Sequence, residues 1–293
     1  MRPTIFDVAR PKIQRKDPRK RPIGVFDSGV GGLTVLHELL VTLPEEDFVY
    51  LGDTARFPYG EKTTEQLVTY SLEITEELLR HQAKLIVIAC NSATAAALPA
   101  LQRRSLETTL GVDVVGVVRP EAVQAVAETR NGKIGLLATE ATVASGAYAD
   151  ALSTIDPHVD LTAVPAPDLA PIIQSGDPVD EDTVAAVRRY VKPLVKAGVD
   201  TVILGCTHYP LIQPLIQRML GREVKLITSG AALARQVEHA LASRGLETPN
   251  TGEGHYEFLT TGDTVQFDDL GTRFLQLPMD GVTHVDIDRK INA

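Results

Sequence analysis

Residues 85–95 read LIVIACNSATA, an apolar run of buried-strand type that ends at Cys90 and passes into small and polar residues suited to a helix start. Upstream, Leu67, Tyr70, Ile74 and Leu78 form one stripe at helical spacing, and Thr63 with Gln66 offers a capping-box start. The same order returns at 201–211, TVILGCTHYPL, where the strand ends at Cys206, 116 positions after Cys90. The helix ahead of it carries Val184, Val187, Val191 and Val195, each 117 positions after its counterpart, with Asp180 as candidate cap.

Working outward, residues 23–28 read IGVFDS and run through GVGG at 29–32 into a helical pattern on Leu33, Leu36, Leu39, Leu40 and Leu43. Residues 134–139 read IGLLAT and lead into EATVASGAYADAL, the two Ile-Gly pairs lying 111 positions apart. Strands alternating with helices in this way imply parallel βαβ construction, here as a diverged duplication. The expectation is an α/β protein of two similar parallel-sheet α/β domains, near 22–116 and 117–227. The remainder holds a helix around 229–244 and then EFLTTGD, and periodicity leaves open whether it rejoins the first domain. Open α/β sheets bind ligands at the carboxyl ends of their strands, where both cysteines fall.

The 293-residue length suits two domains, and 44% hydrophobic residues suffice for a core. No apolar stretch approaches the ~18 residues of a membrane helix, so no membrane association is expected. Two widely separated cysteines make neither a disulfide framework nor a zinc site of usual spacing, and no metal is expected. A net charge of −9 gives no reason to expect nucleic acid. Residues 1–21 are a basic segment of charge +6, leaving −15 for the rest. Lacking an apolar stretch and serine, the segment resembles neither a secretory signal nor a transit peptide. A solvated, flexible leader and a cytoplasmic location are expected.

A cysteine in an apolar strand is commonly a small buried hydrophobe. Here each ends its strand and precedes hydrogen-bonding groups, Asn91 and Ser92 after Cys90, Thr207 and His208 after Cys206. A helix N-terminus just beyond each would lower the thiol pKa and bind an anion. The glycines of FDSGVGG mean either positive φ or close backbone approach; the run is neither a P-loop nor a dinucleotide fingerprint. Asp27 is a ligand-facing group or a helix cap, Asp53 a site residue or part of a structural turn, and Thr139 and Thr142 site residues or ordinary caps. His208, two residues after Cys206, is a satisfied histidine or a tuner of that thiol.

From about residue 22 to its end, the sequence resembles the glutamate racemases of the cofactor-independent aspartate/glutamate racemase superfamily. The carrying motifs are GVFDSGVGGLTVL at 24–36, YLGDTARFPYG at 50–60, VIACNSATA at 87–95 and VILGCTHYPL at 202–211. NGKIGLLATEATVASGAY at 131–148 and TTGD at 260–263 add to them. The resemblance implies two α/β domains related by a pseudo-twofold with the active site between them, the second being 117–227. The C-terminal segment packs back on the first domain, which becomes 22–116 plus 228–293. It makes Cys90 and Cys206 the catalytic pair, one on each face of the substrate, with Asp27 and His208 in support. It places Asp27, Ser28, Tyr59, Gly60, Asn91, Ser92, Thr207 and His208 on glutamate, and turns Thr139 and Thr142 to the site from the second domain. It implies no cofactor, glutamate as small-molecule partner and D-glutamate for peptidoglycan as the product's use; a homodimer is admitted but not fixed. Three positions depart from the pattern: Ser92 for threonine, Gln174 for a glutamate near the second cysteine, and Pro120-Glu121 for proline-glycine.

The chemistry suits the residues. Racemisation takes the α-proton from one face and delivers one to the other, so two bases are needed, one thiolate and one thiol at a time. An ordinary thiol pKa of ~8.5 has to fall by roughly a unit for work near neutrality. No lysine stands in an evident Schiff-base context. Competing readings are a racemase of another amino acid such as aspartate, a non-catalytic two-domain clamp, and a single-thiol hydrolase.

Overall fold

The computed structural model describes residues 17–108, 111–279 and 281–287. Strand β1 (Ile23–Asp27), α1 (Leu33–Thr42), β2 (Phe48–Gly52), α2 (Thr64–Arg80), β3 (Leu85–Ile88), α3 (Asn91–Thr108), β4 (Asp113–Gly116) and α4 (Val118–Glu128) follow in turn. Next come β5 (Lys133–Ala138), α5 (Glu140–Ala144), α6 (Ala147–Ile155), β6 (Asp160–Pro165), α7 (Leu169–Gln174), α8 (Glu181–Ala197), β7 (Thr201–Gly205), α9 (Gln213–Leu220) and β8 (Lys225–Ile227). The chain closes with α10 (Gly230–Arg244), β9 (Tyr256–Thr260), α11 (Thr264–Leu275) and β10 (Thr283–His284).

The strands make two wholly parallel sheets. One runs β10-β9-β2-β1-β3-β4 and the other β6-β5-β7-β8. The order β2-β1-β3-β4 is the order β6-β5-β7-β8 repeated, so the duplication seen in sequence is a duplication of topology. Register repeats as well: Ile23 lies opposite Leu85 in one sheet, and Ile134 opposite Thr201 in the other. The C-terminal segment does rejoin the first sheet, since β9 pairs with β2 and β10 with β9.

Both faces of the inner strands β1, β2, β3 and β7 are covered, which is why these strands are continuously apolar rather than alternating. In β3, Leu85 and Val87 face one core while Ile86 and Ile88 face another. In β7, Val202 and Leu204 face the same core as Leu85 and Val87, and Ile203 faces away from it. One core is therefore continuous between the two halves, and its members each contribute ~1.5–3 kcal/mol on burial.

The capping signals act as read. Thr63 and Gln66 form a full capping box, and Asp180 accepts from the Thr183 backbone. The stripe on α8 is turned from the expected one. Tyr190, Val191 and Leu194 are buried with Val187, while Val195 is 52% exposed. Residues 1–16 of the basic leader lie outside the described residues. Pro18–Lys20 form a 3₁₀ turn, and Lys84 Nζ donates to the Arg19 carbonyl at 2.7 Å. Among the described residues, no helix is long and apolar enough to cross a membrane.

Candidate active site

The carboxyl ends of the two sheets face one cleft. On the first side, β1 ends at Asp27, which is fully buried. Its carboxylate accepts from the backbone N–H groups of Gly29 (3.0 Å) and Gly32, in the turn ahead of α1. It therefore organises the turn and does not cap the helix, which has no side-chain cap. From the opposite side Thr207 Oγ1 donates to it at 3.2 Å. Burial pushes the Asp27 carboxyl up even against these four donors, the backbone of Ser28 being the last.

Close approach, not positive φ, explains the GVGG glycines. A Cβ on Gly31 would stand 2.5 Å from both His208 Nδ1 and Thr207 Oγ1. The turn touches the second half of the molecule so closely that a methyl group has no room.

The 53–60 loop is a braced structure that presents Tyr59 and Gly60 to the cleft, and Asp53 is part of its bracing rather than of the cleft lining. Fully buried Asp53 accepts from the Tyr59 hydroxyl, Arg56 Nε (2.7 Å) and Thr261 Oγ1 (2.8 Å). Arg56 also pairs with Glu73 and lies 4.2 Å over the Tyr70 ring. Thr54 and Thr260 share a 2.7 Å hydrogen bond. The closing TTGD motif is thus the loop's outer support.

Cys90 stands immediately before α3, and its Sγ accepts from the Ala93 N–H at 3.5 Å. Cys206 follows β7, but what comes next is a 3₁₀ turn, Tyr209–Ile212, with α9 starting only at Gln213. The expected helix N-terminus is present at the first cysteine and absent at the second. The expected lowering of the thiols is reversed. Burial pushes Cys90 up to about 12, with the nearby Asp27 charge adding to it. Burial likewise pushes Cys206 up, with Cys90 and Asp27 adding. The few N–H donors at each sulfur do not offset the desolvation of a thiolate.

His208 is enclosed between Phe57 and Phe274, each with its ring centroid 5.4 Å away. Burial holds the imidazole down to about 3, so it is neutral. Gln174 Oε1 lies 2.8 Å from Nε2 and accepts its proton. That bond leaves the Nδ1 lone pair toward Cys206 Sγ, 3.7 Å away. Gln174 therefore reaches the second thiol only through His208, and as an amide it adds no charge there.

Ser92 spans the cleft. Its hydroxyl lies 2.8 Å from Thr139 Oγ1 and 3.0 Å from Thr142 Oγ1. Thr139 also caps α5 through the Thr142 N–H, so the cap and the site contact are one device. Beside Cys90, Asn91 Nδ2 donates to the Tyr148 hydroxyl (2.7 Å) and to the Glu121 carboxylate (3.2 Å).

Ten of the twelve site residues expected from sequence line the cleft: Ser28, Tyr59, Gly60, Cys90, Asn91, Ser92, Thr139, Cys206, Thr207 and His208. Asp27 and Thr142 lie behind them and act through hydrogen bonds. Phe57, Pro58, Glu61, Pro167, Ala170 and Pro171 complete the walls. Most of these offer shape and no chemistry; Phe57 and Pro58 fall inside the 50–60 motif, whereas Glu61, Pro167, Ala170 and Pro171 lie outside the motifs and carried no signal. The free volume between the walls is about 20 Å³, room for roughly one water. As it stands, the cleft is too small for an amino acid. A larger groove of about 360 Å³ lies between α2, α3 and the β4 edge, and neither cysteine lines it.

The sequence model of the Asp/Glu/hydantoin racemase family matches residues 34–237. The glutamate racemase of Geobacter metallireducens is 44% identical over 255 residues, covering 87% of this chain and 93% of its own. The crystal structure of a Bacillus anthracis glutamate racemase superposes with a TM-score of 0.84 at 35% identity, covering 92% of this chain and 98% of its own. That of the Francisella tularensis glutamate racemase, in complex with D-glutamate, gives 0.85 at 31% identity, covering 92% and 99%. With two thiols at equivalent strand ends on one cleft, and with this breadth of similarity, the chain belongs to the Asp/Glu/hydantoin racemase family.

Proposed function

We propose that this protein is a glutamate racemase that interconverts L- and D-glutamate with Cys90 and Cys206 as its two bases. The observation that carries this reading is the placement of both thiols. They stand just beyond the ends of β3 and β7, which hold equivalent places in the two sheets, and both line the same cleft. The relatives named above as glutamate racemases supply the substrate.

In the reaction one cysteine, as thiolate, removes the α-proton and becomes a thiol. The other, as thiol, delivers its proton to the opposite face and becomes a thiolate. Charge and protons balance, and the next turnover of the product runs with the roles exchanged. Because burial disfavours both thiolates, each needs a nearby acceptor for its proton. Nδ1 of neutral His208 is the hydrogen-bond acceptor that orients the Cys206 thiol proton. Beside Cys90 the corresponding group is Asp27, whose carboxyl burial pushes up and whose charge acts on the thiol. Ser28, Asn91, Ser92, Thr139 and Thr207, with the Tyr59–Gly60 turn, hold the two carboxylates and the ammonium of the substrate. Thr142 fixes Ser92 and Thr139.

The assignment of 22–116 plus 228–293 and 117–227 as the two moving bodies is part of this reading, supported by the strand pairing. So is a cytoplasmic site of action, supported by two free thiols. The D-isomer's use in peptidoglycan follows from the substrate. Incubation with L-glutamate in heavy water is expected to give D-glutamate carrying deuterium at the α-carbon. Recovery of L-glutamate with no deuterium at any enzyme concentration would overturn the assignment, and faster exchange on aspartate would move the substrate.

A further inference from the structure

We propose that Glu121 is a positioning residue for this reaction: its carboxylate, bonded to the Asn91 amide beside Cys90, fixes how that amide faces the cleft. The inference rests on the racemase reading above and concerns a residue where the family pattern has glycine.

The geometry is specific. Glu121 lies in the first turn of α4, right after the chain has crossed from the first sheet, and is fully buried. No cation faces it. Its two oxygens instead collect three side-chain donors: Asn91 Nδ2 from α3, the Tyr148 hydroxyl from α6, and the Ser229 hydroxyl at the start of α10. Ser229 is the N-cap residue of α10, and its hydroxyl makes no capping bond to that helix. Both connections between the sheets, through Val117 and through Thr228, therefore meet at one carboxylate.

Asn91 has one amide nitrogen and one amide oxygen to place. The nitrogen is committed to Glu121 and Tyr148. The oxygen, Oδ1, is left as a buried acceptor with no partner among the described residues. Asn91 lines the cleft one residue from the thiol. An acceptor-only carboxylate enforces this orientation, because it has no proton to offer Oδ1. A protonated carboxyl has one, and then either face of the amide is satisfied. A buried, unpaired acceptor on the residue next to Cys90 suits the substrate's ammonium group.

Burial pushes Glu121 up to about 7, against the pull of Ser229, Tyr148 and Asn91. The titratable group facing it is Tyr148, itself held far above its ordinary value, with Cys206 acting on that tyrosine from farther off. The Asn91 orientation is consequently enforced above neutrality and relaxed below it.

The test compares Glu121→Gln and Tyr148→Phe with the wild-type protein, checking folding by circular dichroism. Wild-type kcat/KM for glutamate is expected to rise with pH through about 7. Glu121→Gln is expected to lose that inflection and about tenfold in kcat/KM above it. Tyr148→Phe, by removing a donor to the carboxylate, is expected to move the inflection to higher pH, a shift that a purely structural role would not cause. An active wild-type protein whose Tyr148→Phe profile keeps its midpoint, or whose Glu121→Gln variant matches it at every pH, overturns the proposal. Absence of glutamate turnover in the wild-type protein overturns the racemase reading, and this proposal with it.

Discussion

The Thr207 hydroxyl donates to the Asp27 carboxylate across 3.2 Å, although the two residues are 180 positions apart and Asp27 ends a strand of one sheet while Thr207 follows a strand of the other. Both are buried, so this bond exists only while the two halves are closed on each other. It joins the end of β1 to the residue following the second cysteine. A hydrogen bond to a charged group in such surroundings contributes ~1.5–3 kcal/mol, and breaking it to admit substrate leaves a buried carboxylate short of a donor.

Gly31 tests whether that closure is part of turnover. Gly31→Ala sets a methyl group 2.5 Å from Thr207 Oγ1 and His208 Nδ1. Overpacking of this kind costs ~1–3 kcal/mol, and here it falls on the closed arrangement. We expect kcat/KM to fall about ten- to a hundredfold with the melting temperature nearly unchanged. Steady-state kinetics beside a thermal melt will check it, and undiminished kcat/KM would show that the contact is not made in the reacting state.

Either cysteine alone is insufficient for racemisation. Cys90→Ala and Cys206→Ala are each expected to lower kcat/KM by more than about a thousandfold, with both directions falling together. That equality follows because the two enantiomers have the same free energy. The rates are read by polarimetry from each enantiomer in turn. Full activity in either variant would rule out the two-base scheme.

Two buried groups give stability opposite slopes with pH. His208 has its folded pKa lowered to about 3, so the unfolded chain binds the extra proton and stability is lost as pH falls below about 6.5. Glu121 has its folded pKa raised to about 7, so the folded protein binds the extra proton and stability is lost as pH rises from about 4.5 toward 7. Each contributes at most ~1.4 kcal/mol per pH unit inside its window. Removing the carboxyl in Glu121→Gln is expected to make acid destabilisation between pH 6.5 and 4.5 steeper, and His208→Asn to make it shallower. Denaturant midpoints measured across that range would reveal parallel slopes if neither group were perturbed.

Lys84 serves stability and lies away from the cleft. It is buried with Glu46, its Nζ 2.5 Å from the carboxylate, and it also holds the Arg19 carbonyl. Lys84→Met strands the Glu46 charge, which is expected to cost ~3–5 kcal/mol of unfolding free energy. The kcat/KM measured below the new melting temperature is expected to stay within about twofold of wild type. A loss of activity larger than the loss of folded protein would contradict that separation.

Much of this molecule was legible from residue order. The runs ending at Cys90 and Cys206, and the Ile-Gly pairs at 23–24 and 134–135, gave equivalent strands, and the sheets repeat them in order and register. Caps at Thr63, Asp180 and Thr139 were readable because each acts over three or four residues. The α8 stripe was misjudged by a fraction of a turn, since Tyr190 and Leu194 compete with Val195 for the same buried face. Glu121 was visible only as an odd residue for its position. Its partners Asn91, Tyr148 and Ser229 come from three separate helices.

By itself the sequence determined a duplicated parallel α/β chain with one thiol at the end of a strand in each half. Apolar periodicity, caps and spacing are local properties and survive being read in one dimension. Only the tertiary structure decided that β9 and β10 complete the first sheet, that the cleft is closed by Asp27–Thr207 and Ser92–Thr139, and that both thiols are pushed up rather than down. Those outcomes turn on desolvation and on contacts between residues far apart in the chain: Asp53 and Thr261, 208 positions apart, meet only once the C-terminal strands join the first sheet, and Asp27 and Thr207, 180 apart, only once the two halves face each other.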